Sequence, residues 1–175
     1  MKLEVNVRKA ICKDAQKMID YMHEILSEKE ICLPLFDEEF QLSEEKETEI
    51  IERYNNSNND IFLVAEYNNE IIGILNSNSN TRKATIHDIG FGMSVRKEYR
   101  NKGIGYELLQ VFIDWVKSKS HLYVINLTVW KENKNAINLY KKFGFDICGE
   151  RKLSTYKNGI YHSILVMELE IKKRV

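Results

Sequence analysis

The chain opens with alternating polar and hydrophobic residues and then changes to a helical period. Leu3, Val5 and Val7 are separated by polar or charged residues, which is the period of a half-buried strand. Asp14, a residue type that caps helices, precedes apolar residues at helical spacing. Those apolar positions are Ala15, Met18, Ile19, Met22, Ile25 and Leu26. The pattern predicts a strand followed by an amphipathic helix.

A second helix is predicted after an irregular stretch over 30–40, which holds the only proline, Pro34. Ser43 is in position to cap this helix, and Lys46 stands where a capping box has Glu. The polar run over 55–59 predicts a loop after the helix. Two apolar runs, over 61–65 and 71–75, then flank Asn68-Asn69 and predict a β-hairpin.

The second half of the chain alternates strands with helices. The predicted elements are a loop over 76–83, a strand over about 84–95, a strongly amphipathic helix over 103–119, a strand over 123–129, a short helix over 133–142, and strands over 145–148 and 160–169, the last one following a turn at Lys157-Asn158-Gly159. The order β-α-α-β-β-β-α-β-α-β-β predicts one mixed α/β domain over residues 1–175, without a repeat or a linker.

Composition argues against a charge-driven partner, a metal site and a membrane span. Of the 175 residues 43% are hydrophobic, and 26 basic residues balance 26 acidic ones, so no overall charge favours nucleic acid or membrane as a partner. Cys12, Cys32 and Cys148 are widely spaced and form no Cys/His cluster, so we expect no metal site. Because no apolar run has the length of a signal peptide or of a membrane span, we expect a soluble cytoplasmic protein with reduced thiols.

Gly103 and Gly105 lie where a predicted strand ends and a predicted helix begins. Glycine permits close approach of a ligand and positive φ, and the first helical N–H groups lack intrahelical partners. An anion such as phosphate is therefore favoured there, and Arg100 and Lys102 add positive charge. The sequence lacks the ending of a P-loop and the third glycine of a dinucleotide fingerprint, where Leu108 stands. The alternative is a tight turn that only lets the helix pack closely.

Two longer motifs narrow these alternatives. The first is Met93-Ser94-Val95, then Arg100, Gly103 and Gly105, followed by an amphipathic helix; the second, about 40 residues later, is Asn133-Lys134-Asn135-Ala136-Ile137-Asn138-Leu139-Tyr140-Lys141-Lys142-Phe143-Gly144-Phe145. In order and spacing the pair resembles the two signatures of the GNAT acyltransferase superfamily. The resemblance is strongest over 85–150 and implies an N-acetyltransferase that uses acetyl-CoA.

The resemblance also implies a fold and a coenzyme site. We expect a single GNAT-like domain with a central, mostly antiparallel sheet that splays at the strand before the glycine turn and is flanked by helices. The backbone of Met93 and Val95 would pair with pantetheine, and the amides from Asn101 to Tyr106 would bind the pyrophosphate. The implied coenzyme-binding residues are Met93, Ser94, Val95, Arg100, Asn101, Lys102, Gly103, Ile104, Gly105, Tyr106, Asn133, Ala136 and Tyr140. Asn101 replaces a frequent glycine, and we interpret this position as supplying an amide more than a special dihedral.

Asn133, Ala136 and Tyr140 are spaced so that they share one helix face. By resemblance Asn133 binds the coenzyme arm, and Tyr140 is the catalytic acid, because a phenol stays protonated at neutral pH and can protonate the departing thiolate. The alternative for Tyr140 is a core aromatic.

The general base is not identified by the resemblance. Thr128 stands where some relatives have Glu. His87 and Asp88 are the nearest titratable candidates, and each is also explained as a residue at the end of a strand. No catalytic base is assigned.

The acceptor is predicted more coarsely than the reaction. The tail beyond 149 resembles acetyltransferases of amino acids, small amines and spermidine, which implies a small primary amine attacked directly, without a covalent enzyme intermediate. The acidic residues over 37–47 suit a cationic acceptor, and solvation or helix capping explains them equally well. Peptide N-terminal acetylation and a non-catalytic acyl-CoA-binding module are the alternatives. A homodimer is a further possibility, suggested by Tyr156 and Tyr161.

Overall fold

The computed structural model describes residues 3–171. Its helices are α1 (Ala15–Ser27), α2 (Glu44–Asn56), α3 (Ile104–Lys117) and α4 (Lys134–Lys142), and its strands are β1 (Asn6–Lys9), β2 (Phe62–Tyr67), β3 (Glu70–Ser79), β4 (Asp88–Val95), β5 (Val124–Trp130), β6 (Asp146–Lys157) and β7 (Ile160–Glu170). The predicted order of helices and strands is confirmed. Short 3₁₀ turns lie at Cys12–Asp14, Asp37–Glu39 and Lys97–Tyr99.

The strands form one mixed sheet in the order β1-β2-β3-β4-β5-β7-β6. The pairs β1–β2, β2–β3, β5–β7 and β6–β7 are antiparallel. The β4–β5 pair is parallel and joins Asp88–Gly90 to Val124–Asn126, which is only the first part of β4. The predicted mixed α/β fold with a mostly antiparallel sheet is confirmed, and the short parallel ladder agrees with a splay in the second half of β4.

The described residues group into two compact units, each considered by itself below. The first comprises 3–31, 35–77 and 92–116, and the second comprises 32–34, 78–91 and 117–171. The expectation of a single domain over 1–175 stays a prediction, and its first two and last four residues lie outside the described part.

The first unit is built around two amphipathic helices and a hairpin. Helix α1 buries Ala15, Met18, Ile19, Tyr21, Ile25 and Leu26, and α3 buries Ile104, Leu108, Leu109, Phe112, Ile113 and Val116. Asn68 and Asn69 both have positive φ, as the two-residue turn between β2 and β3 requires. Ser43 caps α2 by accepting the backbone N–H of Lys46, as predicted.

Asp14 precedes α1 as predicted, but its carboxylate does not cap the helix. It accepts the backbone N–H of Ile11 at 2.9 Å and pairs with Arg8 at 2.6 Å. Burial raises the pKa of Asp14, but the hydrogen bonds from Arg8 and Ile11 outweigh it and hold the pKa below its usual value. Asp14 therefore fastens the end of β1 to the start of α1.

The second unit is built on the long hairpin of β6 and β7. Asn158 and Gly159 have positive φ at its turn, as the sequence predicts. Strand β7 pairs with the whole length of β5, from Val124↔Glu170 to Trp130↔Ile164. Helix α4 follows β5 after a short turn and buries Ile137 and Tyr140.

Several predicted boundaries were wrong, and most errors involve polar residues. Asn55 and Asn56 belong to α2, and β3 continues through the predicted loop to Ser79. Ser77 remains in the strand because its buried hydroxyl accepts the N–H of Ile61 at 2.8 Å. Strand β4 begins only at Asp88, and β6 extends to Lys157.

Among residues 3–171, no helix combines the length and the apolar character that crossing a bilayer requires.

Candidate functional site

The turn between β4 and α3 contains two left-handed residues. Asn101 has φ of 59° and Gly103 has φ of 89°. Gly103 also begins the helix, because its carbonyl accepts the N–H of Glu107 at 3.0 Å. Our interpretation that position 101 supplies an amide more than a special dihedral was therefore wrong, since its dihedral is a special one. Asparagine replaces glycine there because it is among the few residues that adopt this conformation readily.

The turn leaves open space beside the start of α3. A Cβ atom built on Gly103 meets nothing within 4 Å, and the residue is exposed. Ile104 is 2% exposed and fixes the first turn of the helix in the core. Ile104 and Gly105 are the first residues of the helix, and the N–H groups at a helix start have no intrahelical carbonyl to accept them. Helix starts of this kind favour anions, and binding of phosphate at this turn stays a prediction.

The two predicted cations of the turn have different surroundings. Arg100 donates from Nε to the carbonyl of Val95 at 2.8 Å, and its Nη2 lies 2.7 Å from Oε2 of Glu28. Its charge is thus matched within the protein, and it braces the turn. Lys102 is exposed, with Nζ 5.6 Å from the ring centroid of Tyr99.

Helix α1 braces the segment before the turn through a line of residues that the sequence analysis missed. The Tyr21 hydroxyl lies 2.9 Å from Oγ of Ser94, and burial raises the pKa of this tyrosine above its usual value. Glu24 pairs with Arg96 at 3.1 Å, one turn further along α1. Tyr21, Glu24 and Glu28 recur at i, i+3 and i+7, so their helical spacing was the signal that could have identified them.

Gly73 on β3 is a second feature that the sequence analysis missed. A Cβ atom at this position lies 3.1 Å from Cδ1 of Leu108, 3.3 Å from the carbonyl oxygen of Ser94 and 3.4 Å from Cγ2 of Ile104. A larger residue at this position would require its neighbours on α3 and β4 to move by a few tenths of an ångström. A glycine inside an apolar strand is the sequence signal for such an approach.

In the second unit, helix α4 presents Asn133, Ala136 and Tyr140 as the spacing predicted. Asn133 is the N-cap, and its Oδ1 accepts the N–H of Ala136 at 3.2 Å. Tyr140 is 7% exposed and packs against the rings of Phe91 and Phe145 at centroid distances of 5.9 and 5.8 Å. Burial raises the pKa of Tyr140 to about 12. The interpretation of Tyr140 as a core aromatic has direct support in these contacts, and its role as catalytic acid stays a prediction.

The predicted site residues are thus distributed over both units. Met93, Ser94, Val95 and the turn from Arg100 to Tyr106 belong to the first, and Asn133, Ala136 and Tyr140 belong to the second. Within residues 3–171 no group of three His, Cys, Asp or Glu side chains is arranged to hold a metal ion.

Comparison with known proteins decides the family. Residues 20–145 match the acetyltransferase (GNAT) family. The chain belongs to this family. A solved GNAT-family acetyltransferase from Streptococcus pneumoniae superposes with a TM-score of 0.91 at 28% identity, covering 97% of this chain and 100% of that one.

Two curated GNAT relatives carry names that specify an acceptor. The L-amino acid N-acetyltransferase AaaT of Escherichia coli K12 is 32% identical over 99 residues, which are 57% of this chain and 61% of the relative. The spermidine N(1)-acetyltransferase of the same organism is 32% identical over 77 residues, which are 44% of this chain and 41% of the relative. Each match therefore spans less than two thirds of the relative.

The candidates for a general base in this GNAT chain have structural roles. Asp88 accepts a hydrogen bond from the side-chain amide of Asn126, and the carbonyl of His87 accepts the N–H groups of Tyr123 and Val124. Thr128 is exposed and pairs with Val166 in the β5–β7 ladder.

The acidic residues over 37–39 are also explained by local structure. They form a 3₁₀ turn in which Glu39 accepts the N–H of Phe36 at 2.8 Å and Asp37 lies 2.7 Å from Nδ1 of His23. The capping interpretation therefore has direct support in the structure, and an acceptor role for these residues stays a prediction.

The left-handed conformation of Asn101 leads to a prediction about stability. We expect Asn101→Gly to leave the free energy of unfolding nearly unchanged, and Asn101→Val to lower it by about 1–2 kcal/mol or more, since a β-branched residue is strained at positive φ. Urea denaturation measures the difference. Asn135→Val, at an exposed position inside α4, is the control for the cost of valine itself. Equal losses for the valine variants at 101 and 135 would contradict the conformational argument.

Proposed function

We propose that this protein transfers the acetyl group of acetyl-CoA to a primary amine of a small molecule. The observation that carries the proposal is the left-handed turn at Asn101 and Gly103, which opens the start of α3 to a phosphate in a chain of the GNAT family.

The coenzyme would be held mainly by backbone groups. In the proposal the N–H groups from Asn101 to Tyr106 bind its pyrophosphate. The exposed ammonium of Lys102 supplies positive charge there, because the charge of Arg100 is neutralised by Glu28. The backbone of Met93 and Val95 binds the pantetheine amides. Asn133 contributes its side-chain N–H groups, since its oxygen is used as the helix cap.

Tyr140 is the proposed acid. Because its pKa is about 12, it remains protonated throughout the neutral range and can donate a proton to the thiolate that leaves the thioester. Asn133 and Ala136 would bind the coenzyme on the same helix face as Tyr140.

Direct attack by the amine is supported by the state of the cysteines. All three are free thiols. Burial, with smaller contributions from Glu168, raises the pKa of Cys148, which makes its thiol a poorer nucleophile. Cys12 and Cys32 lie in the first half of the chain, away from both signature segments. Acylation of a cysteine is therefore not part of the proposal.

A small amine is favoured because the two relatives are named for an amino acid and for spermidine. Both acceptors present a primary amine that is protonated in water and must lose a proton before it attacks.

The proposed function predicts turnover of acetyl-CoA with at least one small amine. The measurement is thiol release, followed by a trapping dye, across the common L-amino acids, spermidine and aminoglycosides, with calorimetry for the binding of coenzyme A. A peptide with a free N-terminal alanine is included to test the peptide alternative. Coenzyme binding without turnover of any of these would leave a binding module, and the absence of coenzyme binding would contradict the proposal altogether.

The proposed acid role predicts the effect of Tyr140→Phe. We expect kcat to fall by about 10²-fold or more, because the leaving thiolate loses its proton donor, while affinity for coenzyme A changes little. Phe143→Tyr, on the turn directly after α4, is the control for altering an aromatic residue in this segment. Unchanged turnover in Tyr140→Phe would exclude the hydroxyl from the reaction.

A further inference from the structure

A cluster at the end of β5 is not used by the proposed coenzyme site. Trp130, the last residue of β5, stacks on His162 of β7 with ring centroids 3.9 Å apart and an interplanar angle of 15°. Trp130 is 7% exposed, and the His162 side chain is 15% exposed. The imidazole is therefore held in one plane by a buried indole.

Two polar atoms of this cluster are buried without a hydrogen-bond partner. They are Nδ1 of His162 and Oγ1 of Thr155, whose residues are Cα partners across the β6–β7 hairpin. The Glu132 carboxylate lies 3.6 Å from His162 Nδ1, slightly beyond hydrogen-bond distance. Among the described residues none hydrogen-bonds the opposite ring nitrogen, Nε2. A small adjustment of Glu132 would complete a carboxylate–imidazole pair with Nε2 directed away from the carboxylate.

The turn that carries Glu132 is fixed by its backbone. The N–H of Lys131 donates to Ser163 at 2.9 Å, which ties the turn to β7 beside His162. The N–H of Asn133 donates to Trp130 at 2.9 Å, and that of Lys134 donates to Glu132 at 2.8 Å. Because Asn133 caps α4, the pair is attached to the first turn of the helix that carries the proposed acid, Tyr140.

The other charged groups near this cluster are accounted for. On the turn, Lys131 pairs with Glu150 of β6 at 2.9 Å. On β6, Lys157 lies two residues from Thr155 and donates to the carbonyl of Leu33 at 3.1 Å. Among the described residues, Glu132 has the carboxylate that approaches His162 within 4 Å.

We propose that His162 is the general base that deprotonates the acceptor ammonium, and that Glu132 is its positioning residue. This inference rests on the proposed function. With Glu132 holding the proton on Nδ1, Nε2 is an acceptor, and it is the atom that takes a proton from the ammonium. The stack on Trp130 holds the plane of the imidazole, and the Glu132 carboxylate beside Nδ1 leaves Nε2 as the acceptor.

The protons and bonds balance in this scheme. The ammonium gives one proton to Nε2, and the freed nitrogen lone pair forms the new C–N bond at the thioester carbonyl. The C–S bond then breaks with its electron pair on sulfur, and the sulfur takes the proton of Tyr140. The second nitrogen proton restores Tyr140, and the imidazolium of His162 releases its proton to water.

The test compares His162→Gln, Glu132→Gln and His121→Gln in turnover of the amine that the wild-type protein acetylates best. We expect His162→Gln to lower kcat by about 10²- to 10⁴-fold, with unchanged affinity for coenzyme A. Glu132→Gln, at a side chain that is 58% exposed, should fold normally and lower kcat less than His162→Gln does, because the imidazole itself remains. His121→Gln is the matched control, since His121 also has one ring nitrogen, here Nε2, that is buried without a hydrogen-bond partner.

A second readout does not depend on the acceptor. Long-range ¹H–¹⁵N spectra of histidine-labelled protein should show His162 with its proton on Nδ1, and Glu132→Gln should shift the ring toward the other tautomer. If the wild-type protein acetylates an amine while His162→Gln keeps full kcat, or if Nε2 carries the proton, the assignment of the base is wrong and the proposed function stands. If the wild-type protein acetylates no amine, both fail.

Discussion

The left-handed turn from Asn101 to Gly103 is the constraint on which the first unit depends. It reverses the chain between β4 and α3 so that the helix begins at Gly103 with its amides beside open space. Positive φ at two of three residues is unfavourable for most side chains, at about 1–2 kcal/mol each, so glycine and asparagine are preferred there. Around the turn, the absence of a side chain at Gly73 allows Ile104 to reach the core. An arginine–glutamate pair and a buried tyrosine–serine contact hold the approach from β4.

In the second unit, too, residues at the start of a helix position the proposed site residues. Asn133 uses its side-chain oxygen to begin α4, and this places Tyr140 two turns later among aromatic rings, where burial keeps its phenol protonated. The same short turn that ends β5 also carries Glu132 toward His162. Tyr140, the proposed acid, and Glu132, the proposed positioning residue, thus belong to one short segment of chain, while His162 lies on β7.

Individual residues show how much of the structure could be predicted from the sequence. Periodicity predicted the order of helices and strands because amphipathic spacing reflects burial directly. Gly103, Gly105 and the turns at Asn68-Asn69 and Asn158-Gly159 marked the places where the chain reverses. Periodicity failed where a polar residue is satisfied by tertiary contacts: Ser77 was predicted as loop, yet its hydroxyl is bonded inside a strand. The sequence also predicted phosphate as the partner of Arg100. It could not show the pairing with Glu28, because Glu28 lies 72 residues away in sequence. The Trp130–His162 stack was invisible for the same reason, since strand pairing alone brings those rings together.

The central claim is that backbone amides at the start of α3 receive the coenzyme's pyrophosphate. The most direct measurement is an NMR titration of the ¹⁵N-labelled protein with coenzyme A, in which the amide resonances of individual residues are followed. The account predicts large downfield shifts for the N–H groups from Asn101 to Tyr106, and much smaller shifts when dephosphorylated pantetheine replaces coenzyme A. Saturable binding that leaves these amides unmoved would contradict it.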